Sequence, residues 1–307
     1  MPARHLGAVL RRQAQRLGPR PALRWKRHGL FHDLSWADYG HQATCCAAAL
    51  AEAGLRPGDR VGLLAANRLE WLIADMGILT AGAVNVPPHA PLTAAQVAYQ
   101  LADAEVRLAF VSNLEQLTKI IEKTSELPLL ETVVLFEGDA LARVSNAGVR
   151  LRSWGEFLLT GQRALASVQG DLERRHDDLT LNDLATIMYT SGTTGVPKGV
   201  MLTHGNLLSN AEAMHELQPL GPEDLLLSWL PYSHIYGRTV DHYRSLVEGA
   251  TIALGESAET VVQNLKDVQP THMSAVPRFY EKVLTAVHCD DAGVLGKRLR
   301  EVFGPRI

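Results

Sequence analysis

The sequence predicts an α/β protein with two mainly parallel, doubly wound sheets and flanking helices. Short apolar segments such as 61–65, 108–111 and 251–254 alternate with helical segments of ten or more residues, which is typical of parallel βαβ units. The chain of 307 residues is long enough for a large core. A charged stretch at 169–183 interrupts the alternation and suggests two lobes.

The elements follow in order along the chain. Capping side chains predict helix starts at Ser35, Thr93 and Ser153. Other predicted helices cover residues 69–80, 114–123, 206–217, 235–247, 259–268 and 279–288. Predicted strands cover residues 61–65, 83–86, 108–111, 132–136, 184–188, 200–202, 225–230, 251–254 and 272–276.

The pattern divides the chain into two predicted regions. Residues 1–183 form a first α/β lobe that ends in a solvated linker at 169–183, for which a single exposed helix is the alternative. Residues 184–307 form a second lobe, which starts at the strand leading into a glycine-rich loop. The polar residues 137–152 are expected to be a surface excursion.

Composition narrows the class of protein. The net charge of −3 gives no electrostatic case for nucleic acid. Three cysteines, Cys45, Cys46 and Cys289, suggest a reducing, cytoplasmic setting. The N-terminus does not resemble a secretory signal, and the longest apolar stretch, 71–86, is too short and too interrupted for a transmembrane segment. The sequence is compatible with peripheral contact with a membrane surface.

The most informative segment is Tyr189-Thr190-Ser191-Gly192-Thr193-Thr194-Gly195-Val196-Pro197-Lys198-Gly199-Val200. Its glycines allow a turn with positive φ, and successive amides in such a turn can surround an anion. Its hydroxyls and lysine add donors and a positive charge. The spacing differs from the P-loop motif. These residues therefore predict a phosphate site, with a polar hairpin loop that binds nothing as the alternative.

This loop resembles the phosphate-binding signature of the adenylate-forming (AMP-binding) enzymes. The resemblance extends from about Trp36 onward and includes residues 86–93 and 230–237. The segment Val276-Pro277-Arg278-Phe279-Tyr280-Glu281-Lys282 is most similar to the long-chain fatty acyl-CoA synthetases. The resemblance implies that ATP activates a carboxylic acid, expected to be a fatty acid, to an acyl-adenylate, which then passes its acyl group to coenzyme A.

The resemblance also implies roles for particular residues. The loop residues Thr190, Ser191, Gly192, Thr193, Thr194, Gly195 and Lys198 would hold the β- and γ-phosphates of ATP, with which Mg²⁺ is expected to arrive. His234 would position the carboxylate, although a packed core histidine is the alternative. Tyr236, Gly237, Val276 and Pro277 would shape the acyl pocket, although helix-start packing explains them equally well.

Several family segments are not found. The adenine-bordering and ribose-binding segments and the C-terminal lid with its lysine do not occur in residues 1–307. The chain is therefore expected to be the front part of a longer ligase, inactive alone. Two alternatives remain: a non-catalytic nucleotide-binding or interaction module, and an enzyme that adenylates amino acids or aryl acids. No metal-ligand spacing or G-x-S-x-G elbow is present.

Overall fold

The computed structural model describes residues 4–144, 148–191, 195–287, 292–303 and 306. In this part of the chain the strands are β1 Pro21–Arg27, β2 Leu30–Ser35, β3 Arg60–Leu64, β4 Val84–Val86, β5 Val106–Val111, β6 Thr132–Leu135, β7 Arg150–Ser153, β8 Leu184–Thr190, β9 Lys198–Thr203, β10 Leu225–Ser228, β11 Thr251–Leu254 and β12 His272–Met273. The helices are α1 Leu6–Leu17, α2 Trp36–Glu52, α3 Leu69–Thr80, α4 Ala94–Asp103, α5 Leu114–Ile121, α6 Trp154–Asp178, α7 His204–Leu217, α8 Ile235–Gly237, α9 Arg244–Glu248, α10 Val261–Val268, α11 Pro277–Val287 and α12 Ala292–Phe303. A π-helical segment, Arg238–Tyr243, joins α8 to α9.

Two sheets organise these elements. The first sheet has the strand order β7-β6-β5-β3-β4-β8-β9, and the second has the order β12-β10-β11-β1-β2. Every recorded pairing is parallel except β8 with β9 and β1 with β2. The prediction of two mainly parallel sheets with flanking helices is therefore confirmed.

Local signals in the sequence account for the helix starts. Thr93 and Ser153 each form a reciprocal capping box with the residue three positions later, Gln96 and Glu156. The Ser35 hydroxyl accepts a hydrogen bond from the backbone amide of Asp38 at 3.0 Å. These contacts satisfy amides that the first helical turn leaves unpaired.

The membership of the sheets differs from the predicted division at residue 183. The hairpin β1–β2 belongs to the second sheet, where Leu23 pairs in parallel with Ile252. The hairpin β8–β9 belongs to the first sheet, where Thr186 pairs with Asn85. Strand pairing acts through space, so an order read along the chain could not reveal this exchange of hairpins.

The interpretation of 169–183 as a linker is corrected by the structure. Residues 169–178 are the last turns of α6, which packs along α2. Leu172 is buried on the inner face, while Asp171 forms an ion pair with Arg175 at 2.7 Å. The many charges that suggested a linker lie mostly on the solvent face of a long amphipathic helix.

A buried ion pair joins the two halves of the fold. Arg238, in the π-helical segment after β10, donates a hydrogen bond to Asp75 of α3. Both side chains are fully buried. Tyr243 and Asn85 also donate to the Asp75 carboxylate, at 3.0 Å and 2.6 Å, and Arg238 donates to Thr186 of β8 at 2.9 Å. Burial alone would raise the pKa of Asp75, but the Arg238 charge, the adjacent His242 ring and the hydrogen bond from Asn85 lower it to about 2.

Removing one member of this pair should destabilise the chain severely. In Asp75→Asn the Arg238 guanidinium stays buried without a counter-ion, so we expect the free energy of unfolding to fall by about 3–5 kcal/mol. Urea denaturation followed by circular dichroism measures this loss. The double variant Asp75→Leu/Arg238→Met removes both charges and should recover part of it, because Tyr243 and Asn85 still lose their acceptor. An unchanged urea midpoint for Asp75→Asn would contradict the prediction.

Candidate active site

A cavity of about 900 Å³ lies where the carboxyl ends of strands from both sheets meet. Residues 65–67 and 89–91 follow β3 and β4 of the first sheet. Residues 255–258 and 275–277, which follow β11 and β12 of the second sheet, also line the cavity. Most of residues 229–237, which follow β10, line it as well. Open α/β sheets bind ligands outside the carboxyl ends of their strands, so this first cavity has the expected position of a binding site.

The turn that carries His234 is braced from the opposite sheet. Asn67, just after β3, donates a hydrogen bond to the Leu230 carbonyl at 2.7 Å and accepts one from the Tyr232 amide at 2.9 Å. His234 itself is exposed, lines the first cavity and precedes α8. The backbone of the turn is therefore fixed while its histidine faces the cavity.

A second histidine lies at the same cavity. His89 follows β4, and its Nδ1 is 2.8 Å from the Ser233 hydroxyl. Burial lowers the pKa of His89, and the positive charge that His234 carries when protonated lowers it further. The two imidazoles thus come from different sheets and lie close enough to influence one another.

The four predicted pocket residues also line the first cavity. Gly237 has no room for a side chain, because a Cβ would lie 3.0 Å from two carbonyl oxygens of the preceding turn. Tyr236 and Val276 are exposed, and Pro277 begins α11. The structure thus brings Tyr236, Gly237, Val276 and Pro277 together with His234.

A second, more apolar cavity of about 400 Å³ adjoins the first. Trp229, Ala258 and Val276 line both cavities. The Trp229 Nε1 donates a hydrogen bond to the Ser274 carbonyl at 2.9 Å, and its ring centroid is 5.3 Å from that of Phe279. The remaining wall combines four valines from α10, α11 and α12 with the charged residues Glu259, Arg278 and Lys282.

The predicted phosphate loop connects β8 to β9. Thr190 pairs with Lys198 at the base of the hairpin, and Gly195 has φ of 83°, a conformation suited to glycine. Thr190, Ser191, Gly195 and Lys198 are exposed and do not line the first cavity. Three further predicted residues lie outside the described part of the chain: Gly192, Thr193 and Thr194.

Helix α4 supports the base of this loop. The Tyr99 hydroxyl donates to the Pro197 carbonyl at 3.0 Å, and the Tyr189 hydroxyl donates to the Asp103 carboxylate. The two tyrosine rings meet edge to face, with centroids 6.2 Å apart. The loop is therefore anchored at its base, while the Lys198 side chain is exposed to solvent.

A buried polar chain lies behind the first cavity. The Tyr232 hydroxyl donates to Ser228 at 2.7 Å, and the Ser228 hydroxyl donates to Asp241 at 2.8 Å. All three residues are buried. Burial raises the pKa of Asp241 to about 7, and the hydrogen bond from Ser228 only partly opposes it.

Sequence reasoning missed Asn67, His89, Trp229 and Asp241. The first three lie within three residues of the carboxyl ends of strands, which is a signal that could have identified them. Asp241 gave no such signal, because it lies within a helical segment. Within the described residues, no group of three or more His, Cys, Asp or Glu side chains is placed to hold a metal ion.

Two sheets with a site at their carboxyl edges and a glycine-rich hairpin define an α/β ligand-binding protein. The family of AMP-binding enzymes matches residues 10–304, and this chain belongs to that family. None of the described helices has both the length and the apolar character needed to cross a bilayer.

Curated relatives include ligases of long-chain fatty acids. The chain is 32% identical over 282 residues to long-chain-fatty-acid–CoA ligase ACSBG2 of Rattus norvegicus, an alignment covering 90% of this chain and 41% of the relative. It is 32% identical over 261 residues to long-chain-fatty-acid–CoA ligase FadD15 of Mycobacterium tuberculosis, covering 83% and 40%. The chain thus spans about two fifths of the length of these relatives.

Solved structures share the fold. The adenylation domain of a carboxylate reductase from Mycobacterium chelonae has a TM-score of 0.80 at 23% identity, over 100% of this chain and 53% of that chain. A didomain of the carboxylic acid reductase from Segniliparus rugosus, solved with AMP, has a TM-score of 0.82 at 19% identity, over 99% and 48%.

Stability should depend on pH through Asp241. Its pKa in the folded chain lies above the ordinary value of about 4, so between about pH 4 and pH 7 only the folded state keeps the proton. Stability then falls as pH rises through this window, by roughly 1.4 kcal/mol per pH unit at most, and levels off above it.

Asp241→Asn removes this dependence. Its melting temperature relative to wild type should be higher at pH 8 than at pH 5, as measured by scanning calorimetry. Asp178→Asn, at an exposed residue of α6, serves as the control and should show no such difference. An equal shift at both pH values for Asp241→Asn would contradict the prediction.

Proposed function

We propose that this protein activates a fatty acid with ATP to an acyl-adenylate and transfers the acyl group to coenzyme A. One observation carries the proposal: His234 and the four pocket residues line a single cavity that adjoins a second, apolar one. A carboxylate head group with a long apolar tail has the chemistry that this pair of cavities fits.

The head of the substrate would lie in the first cavity. Asn67 braces the backbone of the turn that carries His234, and the ring lines the cavity, where it can contact a bound carboxylate. Tyr236 and Gly237 shape the wall beside it. In this proposal His234 positions the carboxylate and then the acyl-adenylate.

The tail would extend along the apolar walls towards the second cavity. Val276 and Pro277 lie at the start of α11, and Val276 belongs to both cavities. Burying a methylene group is worth about 0.8 kcal/mol, so the mainly apolar surface of the second cavity favours long chains. This lining supports a fatty acid over the alternative of an amino acid or a small aryl acid.

The loop between β8 and β9 would hold the triphosphate. Its members in the proposal are Thr190, Ser191, Gly192, Thr193, Thr194, Gly195 and Lys198. Backbone amides and hydroxyls would bind the β- and γ-phosphates, and the Lys198 ammonium would neutralise charge on the leaving pyrophosphate. Mg²⁺ would come with ATP, bound mainly by phosphate oxygens and water.

The reaction depends mainly on the positioning of its reactants. A carboxylate oxygen attacks the α-phosphorus of ATP, the bond to the β-phosphate oxygen breaks, and pyrophosphate leaves. The thiolate of coenzyme A then attacks the acyl carbon, and AMP leaves. Holding the reactants together and neutralising charge supplies most of the rate in such steps. A cytoplasmic site with peripheral access to membranes would suit fatty substrates.

A non-catalytic nucleotide-binding module is the second candidate. Exchange of radiolabelled pyrophosphate into ATP separates the two, measured with octanoate, dodecanoate, benzoate and an amino acid on this chain and on longer forms of the protein. The ligase predicts exchange that depends on the fatty acids. Binding of ATP without acid-dependent exchange in any form would favour the module, and exchange with benzoate or the amino acid alone would correct the substrate class.

Lys198 should contribute mainly to the rate of the first step, formation of the acyl-adenylate. We expect Lys198→Ala to slow pyrophosphate exchange by about 100-fold or more in a form that catalyses exchange, because a transition-state charge contact is lost. Lys266→Ala, at an exposed lysine of α10, is the control and should leave the rate unchanged. Equal rates for Lys198→Ala and wild type would remove Lys198 from the phosphate site.

Trp229 should limit chain length. Trp229→Ala removes the largest side chain that lines both cavities, so the affinity for dodecanoate relative to octanoate should rise about tenfold, as expected if two further methylenes become buried. Isothermal titration calorimetry measures both affinities. Trp25→Ala makes the same change on β1, away from both cavities, and should leave the ratio unaltered. An unaltered ratio in Trp229→Ala itself would show that the second cavity does not receive the tail.

A further inference from the structure

The proposed function gives no role to one polar contact at the first cavity. His89 Nδ1 lies 2.8 Å from the hydroxyl of Ser233, the residue before His234. Both histidines line the cavity. The contact joins the residues after β4, in the first sheet, to the turn after β10, in the second.

This contact can determine where the His89 ring carries its proton. When the Ser233 hydroxyl donates to Nδ1, that nitrogen uses its lone pair and the proton of the neutral ring lies on Nε2. Burial favours the neutral ring, since it lowers the pKa of His89. Among the hydrogen bonds of the described residues, none uses His89 Nε2, so in this tautomer the ring keeps an N–H donor for a ligand.

We propose that His89 Nε2–H donates a hydrogen bond to one oxygen of the bound carboxylate, so that His89 and His234 hold the head group from opposite sheets. This inference rests on the proposed function. An adjacent cation would stabilise the carboxylate charge and reduce its nucleophilicity, whereas a neutral N–H orients an oxygen with less loss of reactivity. The same donor fits the carbonyl oxygen of the acyl-adenylate.

A purely structural role for His89 is the competing explanation. Asn67 already fixes the backbone of the turn with two hydrogen bonds, at 2.7 Å and 2.9 Å. The contact of His89, by contrast, is to the Ser233 side chain and not to the backbone of the turn. A brace at this point adds little to the turn, while a ring at the cavity wall can reach a ligand.

Two ligands with the same tail separate these explanations. Decanoate and decan-1-ol are titrated by calorimetry into this chain and its variants at about pH 7.5. His89→Phe keeps a ring but has no donor, so decanoate affinity should fall about tenfold, as for the loss of a hydrogen bond to a charged group. Decanol affinity should stay within about twofold. His89→Gln offers an amide N–H and should restore most of the decanoate affinity.

Ser233→Ala tests the same assignment with a small substitution. It frees the ring to place its proton on either nitrogen, so decanoate affinity should fall by about twofold to fivefold with decanol unchanged. Circular dichroism checks that each variant is folded. Should His89→Phe fail to fold, Ser233→Ala carries the test, since only the proposed role predicts a loss for decanoate with none for decanol.

The outcomes distinguish the inference from the function beneath it. Equal losses for decanoate and decanol, or no loss for either, would overturn the role of His89 while leaving the proposed function intact. Failure of the wild-type chain to bind decanoate, with decanol binding retained, would count against the carboxylate site itself and remove both.

Discussion

The ion pair between Asp75 and Arg238 is the interaction on which the arrangement of the two sheets depends. Asp75 belongs to a helix of the first sheet, and Arg238 follows a strand of the second. Burying both charges is costly, and only a geometry that satisfies them compensates. The Trp71 and Tyr243 rings, each 5.3 Å from the Arg238 guanidinium carbon, complete that environment. The pair therefore links α3, in the first half of the fold, to the segment that follows β10 of the second sheet.

The geometry of the candidate site depends on this contact between the two halves of the fold. The Arg238 amide donates to the His234 carbonyl at 3.1 Å, so the guanidinium that is fixed in the core also fixes the turn at the cavity wall. Asn67 holds the same turn from the side of the first sheet. A cavity made by two sheets needs such ties, because neither sheet alone supplies the complete lining.

Much of this architecture could be predicted from the sequence, and the failures have physical causes. Local patterns in the sequence were enough to predict the capping boxes at Thr93 and Ser153 and the strand at 251–254, because these features depend on neighbouring residues. The hairpin β1–β2 was missed because it is rich in polar and charged residues, and β2 is largely exposed. Of the candidate site, His234 and the pocket residues came from a family resemblance. His89, whose nearest polar partner is 144 residues away in the chain, could not be linked to Ser233 by any local pattern.

The pairing of Leu23 with Ile252 has a consequence for synthesis of the chain. Strand β1 leaves the ribosome long before its parallel partner β11 has been translated. At about 5–20 residues per second, the N-terminal hairpin waits on the order of tens of seconds with one edge open. An open strand edge invites pairing with other chains. The charges and the exposed, polar face of this hairpin, which hid it from the sequence analysis, would protect the nascent chain from aggregation during that interval.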